Sequence, residues 1–341
     1  MENLSIKLIK GHKYLYITDV FKVNSKSKKV TFYIGNIEKI NENEFILKLR
    51  EFNEFRLTKI IEIAQNLYHS PYLSGENIAY LEKLRVLFSR FRILYPDETD
   101  RYRTNMYTRY VQGTVAIEGN TISPIEAGLL LNKGISPDGK RVDEIYEIMN
   151  FLHLQNYLHE YQEEISERLI RRIHAIIMEN LMHTPGDYRN LDVQIEKVEY
   201  LPPPSFEVPH MMQDLIKWYK QNKNNLHPFL LAVFFHAKFE IIHPFLNGNG
   251  RVGRAVVNFI LEKFSYPTLY LGLEHRNEYL KALLSADEGN FFPLVQTLTG
   301  FYKIQNEKIL GQIEKREMNE DYIRRSEHKY LIEKFRLLKR G

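Results

Sequence analysis

The spacing of apolar residues changes character along the chain, from a period of two to a helical period. Val30, Phe32 and Ile34 alternate with polar neighbours, and a turn-like run at residues 24–28 separates them from an aromatic and β-branched stretch at residues 12–23. This pattern predicts a β-hairpin near the N-terminus. From about residue 51 onward, apolar positions recur every three or four residues, which predicts helices.

Most of the remaining chain is predicted to be α-helical. Residues 104–118 look helical and stop at Gly119, and residues 123–126 (SPIE) have the capping-box pattern with proline at the first helical position. Residues 228–242 predict a very apolar helix that is a candidate for the centre of the fold. Further helices are predicted at residues 143–161, 166–182, 209–220, 251–264, 276–286 and 291–304.

Composition narrows the class of protein. The 341 residues are 44% hydrophobic and 26% charged, which is an ordinary globular balance, and the absence of cysteine excludes disulfides and thiolate metal sites. No secretory signal is visible, and the longest apolar stretch, residues 229–245, is too interrupted by charge to span a membrane. We therefore expect a cytoplasmic protein. A net charge of +4 is too small to indicate nucleic-acid binding.

A glycine-rich segment just before a predicted helix carries the strongest chemical signal. It spans residues 243–254 and reads HPFLNGNGRVGR. Glycines let backbone N–H groups approach a ligand closely, and the start of a helix attracts anions. Arg251 and Arg254 lie in the first turn, where positive charge opposes the helix dipole. Two arginines at this place indicate that an anion such as a polyphosphate neutralises them.

The whole segment resembles the signature of the Fic family, His-x-Phe-x-(Asp/Glu)-Gly-Asn-Gly-Arg-x-x-Arg. It matches every fixed position except Asn247, where the family has an acid. The resemblance covers about residues 100–305 and implies transfer of AMP from ATP to a Tyr, Ser or Thr hydroxyl of a target protein. It makes His243 the general base, a task that suits the ordinary histidine pKa, and places Asn247 against Mg²⁺. The implied nucleotide-binding residues of this segment are Gly248, Asn249, Gly250, Arg251 and Arg254.

A second segment, residues 114–120 (TVAIEGN), precedes this one in the chain. It predicts Glu118 at the C-terminal end of a helix, where an acidic side chain is disfavoured. The segment resembles the inhibitory motif of Fic proteins, Ser/Thr-x-x-x-Glu-Gly/Asn. The resemblance implies that Glu118 pairs with Arg254 and keeps this arginine away from the γ-phosphate of ATP. From the string alone, a solvated surface glutamate is the alternative.

Two more stretches resemble parts of the Fic nucleotide site. Residues 186–189 (GDYR) and 201–203 (LPP) resemble the family's flap region, a β-hairpin whose exposed edge can capture a target segment by main-chain hydrogen bonds. An ordinary surface hairpin is the alternative. Tyr279 and Asp287 fit the segment on the adenosine side, although many family members have asparagine in place of Asp287. The predicted flap residues at the nucleotide are Lys197, Val198, Glu199 and Tyr200.

His236, Glu240 and His243 share one helical stripe and offer an alternative chemistry. Two imidazoles and a carboxylate could bind zinc. Their spacing differs from the His-Glu-x-x-His of zinc proteases, and their neighbours are apolar. We therefore favour a core role for His236.

The resemblance implies ATP as substrate, Mg²⁺ as cofactor and an unknown target protein as partner. Self-modification of this chain's tyrosines and a homodimer are left open, and neither a membrane nor a nucleic acid is expected. Alternative functions are removal of AMP from a target, transfer of another nucleotide, and a weakly active nucleotide-sensing interaction module, which Asn247 makes conceivable.

The expected fold class is mostly α, with a Fic-type helical core and a β-hairpin flap preceded by a small β-containing region. Four parts are expected along the chain. They are an N-terminal region at residues 1–100, a helical segment with the inhibitory motif at 101–164, the catalytic core at 165–305 and a helical tail at 306–341.

Overall fold

The structure is a computed structural model that describes residues 2–23, 26–194, 200–317 and 328–340. Within these ranges it is mainly α-helical, with one three-stranded antiparallel sheet near the N-terminus. The predicted mostly-α class with a β-containing N-terminal region is confirmed. The chain divides into two compact units, one of residues 1–99 with 306–341 and one of residues 100–305.

The elements follow one another in a simple order. The strands are β1 (Asn3–Ile9), β2 (His12–Val23) and β3 (Lys26–Asn36). The helices are α1 (Glu42–Leu67), α2 (Gly75–Leu94), α3 (Pro96–Ile117), α4 (Pro124–Lys133), α5 (Val142–Glu160), α6 (Glu167–Ile177), α7 (Val208–Asn222), α8 (Pro228–Ile242), α9 (Asn249–Lys263), α10 (Arg276–Asp287), α11 (Phe292–Glu317) and α12 (Lys329–Arg340). Short 3₁₀ turns lie at Ser205–Glu207 and Leu273–His275.

The first unit packs one face of the sheet against helices from both parts of the chain. Along β2, Leu15 and Ile17 are fully buried while their neighbours point outward, as period-two alternation requires. Phe45 of α1 and Phe335 of α12 stack at 4.2 Å between ring centres within the same core. Helix α12 therefore completes the core of the unit that begins at β1.

The second unit is built around α8. Most of its side chains are buried, which fits a helix that is apolar on all sides. It begins at Pro228, and the His227 side chain caps it by accepting the N–H of Phe229 at 3.2 Å. It ends at His243, whose backbone adopts the left-handed conformation with φ of 48°. Helix α9 packs against it and follows it after a short loop.

Several predicted boundaries differ from the structure, each for a local reason. Helix α1 begins at Glu42 rather than near residue 51, because Asn41 and Glu44 form a capping box. Helix α6 ends at Ile177 instead of residue 182, and Asn180 has a positive φ of 63°. Helix α11 continues past residue 304 to Glu317. Strand β1 was not predicted as a separate element.

The capping box at Ser123 and Glu126 is present as the sequence predicts, with proline at the first turn of α4. Among the helices of the described ranges, none combines the length and apolarity needed to cross a bilayer.

Candidate active site

The loop between α8 and α9 presents the signature residues and is held closed by its own side chains. His243 ends α8, and its backbone N–H donates to the carbonyl of Phe239 at 3.0 Å. Gly248 adopts φ of 78° just before α9 begins, a conformation that favours glycine. The buried Asn249 side chain bonds both backbone groups of Phe245, at 2.9 and 2.8 Å. Asn249 thus fixes the loop with its side chain.

His174 of α6 supports this loop from inside the protein. Its ring stacks on Phe245 at 3.7 Å between centres, and its Nε2 bonds the backbone carbonyl of Asn247 at 3.0 Å. The Gly186 N–H donates to its Nδ1 at 2.7 Å, so the proton of the neutral ring lies on Nε2. Burial lowers the pKa of His174 to about 4 and keeps it in this neutral form. No motif in the sequence points to His174.

Arg189 ties the loop to the flap region. Its guanidinium donates to the carbonyls of His243 at 2.9 Å and Leu191 at 3.2 Å, and also to that of Pro203. Its backbone N–H donates to the carbonyl of Pro244 at 2.9 Å. This buried arginine therefore joins the end of α8 to segments on both sides of the predicted flap.

Most of the predicted flap lies outside the residues that the structure describes. Residues 195–199 lie outside the described residues, and with them the proposed edge residues Lys197, Val198 and Glu199. Tyr200 is described, and its hydroxyl donates to the carbonyl of Ile241 at 2.9 Å, next to His243. The β-hairpin and its role at the nucleotide stay predictions.

The His243 side chain is four-fifths buried and uncharged at neutral pH. Burial, assisted by the positive charge of Arg189, lowers the pKa of His243 to about 4. Its Nδ1 is buried and has no hydrogen-bond partner among the described residues. The Glu240 carboxyl group lies nearby, with Oε2 3.9 Å from Nδ1, and the backbone of Glu240 acts to raise the pKa of His243. An uncharged imidazole is the form that can accept a proton.

Arg254 is bound by the segment that resembles the inhibitory motif. Its Nε donates to the Thr114 hydroxyl at 2.7 Å, and its Nη2 donates to the Thr114 carbonyl at 3.0 Å and to Glu118 Oε1 at 2.7 Å. The predicted Glu118–Arg254 pair is therefore present. Although burial acts to raise it, Arg254 holds the pKa of Glu118 below its usual value. The first and fifth residues of the motif both bind the same guanidinium.

Arg251 has a different carboxylate partner, which sequence reasoning missed. It donates from Nη1 to Glu147 Oε1 at 2.5 Å and from Nη2 to Asn247 Oδ1 at 3.3 Å, and its side chain is only 4% exposed. Glu147 Oε2 also accepts from Asn120 Nδ2 at 2.8 Å. Glu147 thus links Arg251 to the turn that follows Glu118. It belongs to no recognisable motif, so no sequence signal pointed to it.

The start of α9 is shaped around the Glu118–Arg254 pair. A Cβ atom on Gly250 would lie 2.7 Å from Arg254 Nη1 and 2.8 Å from Glu118 Oε1. Both distances are shorter than real contacts, so a side chain at this position would displace the ends of Arg254 and Glu118. The Glu118 carboxylate consequently rests at a helix start, the kind of place that binds anions.

The sequence suggested two metal sites, Mg²⁺ at Asn247 and zinc at the stripe of His236, Glu240 and His243. Asn247 is exposed, and its Oδ1 accepts the N–H of Gly248 at 2.7 Å as well as Arg251. It can offer a metal only one neutral oxygen. His236, Glu240 and His243 do come together, yet no group of three His, Cys, Asp or Glu side chains in the described ranges could hold a metal ion. The described residues therefore give no support to the zinc alternative.

The predicted adenosine-side residues lie on α10. Tyr279 is fully buried, and its hydroxyl bonds His236 Nε2 at 2.7 Å. Its ring lies 5.9 Å from the Arg254 guanidinium carbon. Asp287 is half-buried, and burial followed by the charge of Glu288 raises its pKa to about 6. A contact of either residue with adenosine stays a prediction.

Comparison with known proteins shows what the segment that carries these features is similar to. Residues 164–261 match the family model described as Fic/DOC family. The chain is 28% identical over 201 residues to a protein adenylyltransferase Fic of Drosophila ananassae, which is 58% of this chain and 40% of that protein. It therefore spans about two fifths of the length of this curated relative.

Solved structures show the same fold. A Fic family protein from Desulfovibrio desulfuricans superposes with a TM-score of 0.61 at 25% identity, over 72% of this chain and 77% of the other. A Fic-domain signalling protein from Bacteroides thetaiotaomicron gives 0.60 at 22% identity, over 68% and 98%. At 22% identity, the comparison with the Bacteroides protein supports the fold alone.

Proposed function

We propose that this protein, whose residues 164–261 match the Fic/DOC family model, transfers AMP from ATP to a Tyr, Ser or Thr hydroxyl of a target protein and is restrained by Glu118. One observation carries the proposal. The uncharged His243 lies one short loop before a helix start at which two arginines are each held by a carboxylate. The adenylyltransferase name of the Drosophila relative supports the same activity.

The phosphates of ATP fit the place where these carboxylates now lie. The backbone N–H groups in the first turn of α9, the helix dipole and two guanidinium groups all favour an anion there. In this structure Glu118 and Glu147 supply the negative charge. A triphosphate would take over both arginines and remain bound close to His243.

His243 would act as the general base. Its uncharged ring takes the proton of the target hydroxyl, whose oxygen then attacks the α-phosphorus of ATP. The bond between the α-phosphorus and the bridging oxygen breaks, and pyrophosphate leaves with the bonding electrons. Positioning and neutralisation of phosphate charge supply most of the rate in such transfers.

Mg²⁺ fits this site only through the nucleotide. The ion commonly keeps water and phosphate oxygens and takes one or two protein oxygens, and Asn247 Oδ1 is the oxygen that this loop presents. Bound there, Mg²⁺ would neutralise phosphate charge. Asn247 and the phosphates would hold it, and Arg251 would have to release its hydrogen bond to Asn247.

Glu118 restrains the reaction in this proposal by occupying Arg254. The pair lies against Gly250 at the start of α9, so the carboxylate competes with phosphate for both the arginine and the helix start. Removing the carboxylate frees Arg254 for the γ-phosphate. Coupling between two sites of this kind typically changes affinity by about 5- to 150-fold.

A weakly active, nucleotide-sensing interaction module is the second candidate. Asn247 favours it, because a neutral amide already hydrogen-bonded to Arg251 gives a metal little to bind. Such a module would bind ATP without transferring AMP. Its partner, like the target of the transferase, would be another protein or a second copy of this chain.

Labelling with ATP that carries the label on its α-phosphate tests the proposal. The Glu118→Gly protein should label itself or proteins of a lysate about 5- to 150-fold more strongly than wild type. In that background His243→Ala should abolish labelling and retain ATP binding, whereas Arg251→Ala should weaken ATP binding itself.

Glu179→Gly is the matched control, since this glutamate is exposed in the same unit and its variant removes the same charge. Equal labelling of the Glu118→Gly and wild-type proteins would refute restraint by Glu118. Nucleotide binding without any label would favour the sensing module. Mass spectrometry of the labelled lysate would then identify the target.

A further inference from the structure

A second carboxyl group lies directly behind the base. Glu240 of α8 is one turn before His243, with its side chain 8% exposed. Its Oε2 lies 3.9 Å from His243 Nδ1, and its Oε1 lies 3.7 Å from His236 Nδ1. His236 Nδ1 and Glu240 Oε1 are buried without a hydrogen-bond partner among the described residues, and the backbone of Glu240 as well as its carboxyl group lies near His243 Nδ1. Since buried polar atoms are nearly always bonded, two such atoms facing each other call for a functional explanation.

The packing of α9 leaves room for this cluster. A Cβ atom on Gly253 would lie 2.5 Å from Glu240 Oε1 and 2.6 Å from His236 Nδ1. The helix therefore carries no side chain where it faces the carboxyl group. Around it, α8 buries aliphatic and aromatic residues such as Phe239 and Ile242, so an apolar residue would suit the core at position 240 better.

The orientation of the His243 ring indicates what the Glu240 carboxyl group can do. Nδ1 of the ring is buried, which leaves Nε2 as the nitrogen for a target hydroxyl. To accept a proton at Nε2, the neutral ring must carry its own proton on Nδ1. A carboxylate facing Nδ1 selects this tautomer and stabilises the imidazolium that proton transfer creates. Burial and Arg189 act against that imidazolium, so a compensating charge is needed.

We propose that Glu240 is the positioning residue of the base: its carboxylate accepts the Nδ1–H of His243, while His236 holds the carboxylate from the other side. This inference rests on the proposed transferase function. Catalytic hydrogen bonds are often long without substrate and shorten when it binds, so the 3.9 Å separation suits the resting protein. His236 is itself fixed, because its Nε2 bonds the Tyr279 hydroxyl at 2.7 Å.

The charges around Glu240 include that of Glu118, the proposed inhibitory residue, which acts on the pKa of Glu240. His236 and His243 face it from its own helix, Arg254 from α9, Tyr279 and Asp287 from α10, and Glu118 from the end of α3. Burial raises the pKa of Glu240 to about 8, with Arg254 opposing and Glu118 and Asp287 adding to the rise. Removing Glu118 lowers this pKa and so increases the fraction of Glu240 that is ionised.

Kinetics in the Glu118→Gly background test the assignment. Glu240→Gln, which keeps the size of the side chain, should lower kcat about 10- to 100-fold, a part of what a general base supplies. The KM for ATP should stay within about twofold, since Glu240 does not touch the phosphate site. With Glu240 intact, kcat should fall on acidification through a pKa below 8, and Glu240→Gln should remove this limb. Glu179→Gln is the control for the charge change.

Unchanged kcat and an unchanged pH profile in Glu240→Gln would overturn the assignment, and so would a loss that appears in KM alone. A second measurement follows the ring itself. Nuclear magnetic resonance of the His243 ring nitrogens should show the proton on Nδ1, and the Nδ1 signal should shift in Glu240→Gln, because only the backbone of Glu240 then remains to hold that proton. A proton on Nε2, or an Nδ1 signal that does not change, would overturn the assignment. If Glu118→Gly transfers no AMP at all, the proposed function fails, whereas the tautomer still reports on Glu240 separately.

Discussion

Asn247 is the one fixed position of the signature where this chain lacks the family's acid, and the structure shows what the amide does instead. Its Oδ1 accepts from Gly248 and Arg251. A carboxylate at this position would bind Arg251 more tightly through charge, and it would also offer Mg²⁺ a charged ligand. An acid at position 247 would therefore strengthen two competing interactions, one with Arg251 and one with a bound metal ion.

We expect Asn247→Asp, in the Glu118→Gly background, to transfer AMP faster than its parent at low Mg²⁺. The metal concentration for half-maximal rate should fall on the order of tenfold, because one more negative ligand binds a hard cation better. The two rates should converge as Mg²⁺ is raised. Rate measured against Mg²⁺ for both proteins decides the matter: superimposable curves would mean that Asn247 does not limit metal use.

At the scale of elements, the site depends on the close packing of α8 against α9. Gly250 and Gly253 each leave space for a carboxyl group, the first for Glu118 and the second for Glu240. The same helix therefore accommodates the proposed inhibitory residue near its first turn and the proposed partner of the base one turn later.

Gly253→Ala should destabilise the second unit by about 1–3 kcal/mol, because the added methyl group overlaps two buried polar side chains. Trp218, the chain's single tryptophan, lies on α7 of this unit, so its fluorescence during urea unfolding reports the change. Gly300→Ala is the control. Nothing lies within 4 Å of its added Cβ on α11, and it should stabilise by roughly 0.5–1 kcal/mol. Equal effects of the two variants would contradict the packing argument.

The sequence predicted elements well where local chemistry sets their ends. Helix α8 has the predicted bounds, because proline starts it and the chain turns sharply at His243. Helix α11 was predicted too short, because the apolar pattern weakens near residue 304 although no proline stands there, and the helix runs through Gly300 to Glu317. Strand β1 alternates weakly and owes its place to pairing with β2, which a local pattern does not reveal.

Prediction of the site succeeded for residues inside a motif and failed for those that only tertiary structure brings there. Glu118 and Arg254 are 136 positions apart, yet two motifs identified both. Glu147 and His174 are polar residues on helices α5 and α6 and, like many residues without a function, belong to no motif. Only the fold places them against Arg251 and Phe245.

At the scale of the whole molecule, the second unit buries histidines in neutral form and so depends on pH. Burial lowers the pKa of His174 and of His243 to about 4 and that of His236 to about 3. The unfolded chain binds these protons near pH 6.5. Stability from neutral histidines is therefore present above pH 6.5 and is lost as the pH falls toward 4. Glu240 acts in the opposite sense, since its raised pKa costs stability as the pH rises toward 8.

We expect His174→Gln to reduce the loss of stability between pH 7 and pH 5 by about 2 kcal/mol, the share of one such histidine. Glutamine can still accept from Gly186 and donate to the carbonyl of Asn247, so the loop should keep its support. Urea unfolding of both proteins at the two pH values, followed by Trp218 fluorescence, measures the difference. Parallel losses in the two proteins would show that His174 is not what titrates.

The first unit joins β1–β3 and α1 to α12, with all residues of the second unit lying between them in the sequence. During synthesis, residues 100–305 emerge before α12 exists. The second unit can therefore fold on the ribosome while the core around Phe45 still lacks Phe335. Until α12 is made, the apolar face of the sheet and of α1 is exposed and available to chaperones. The unit that carries the candidate site is thus ready before the unit whose first strand was made earliest.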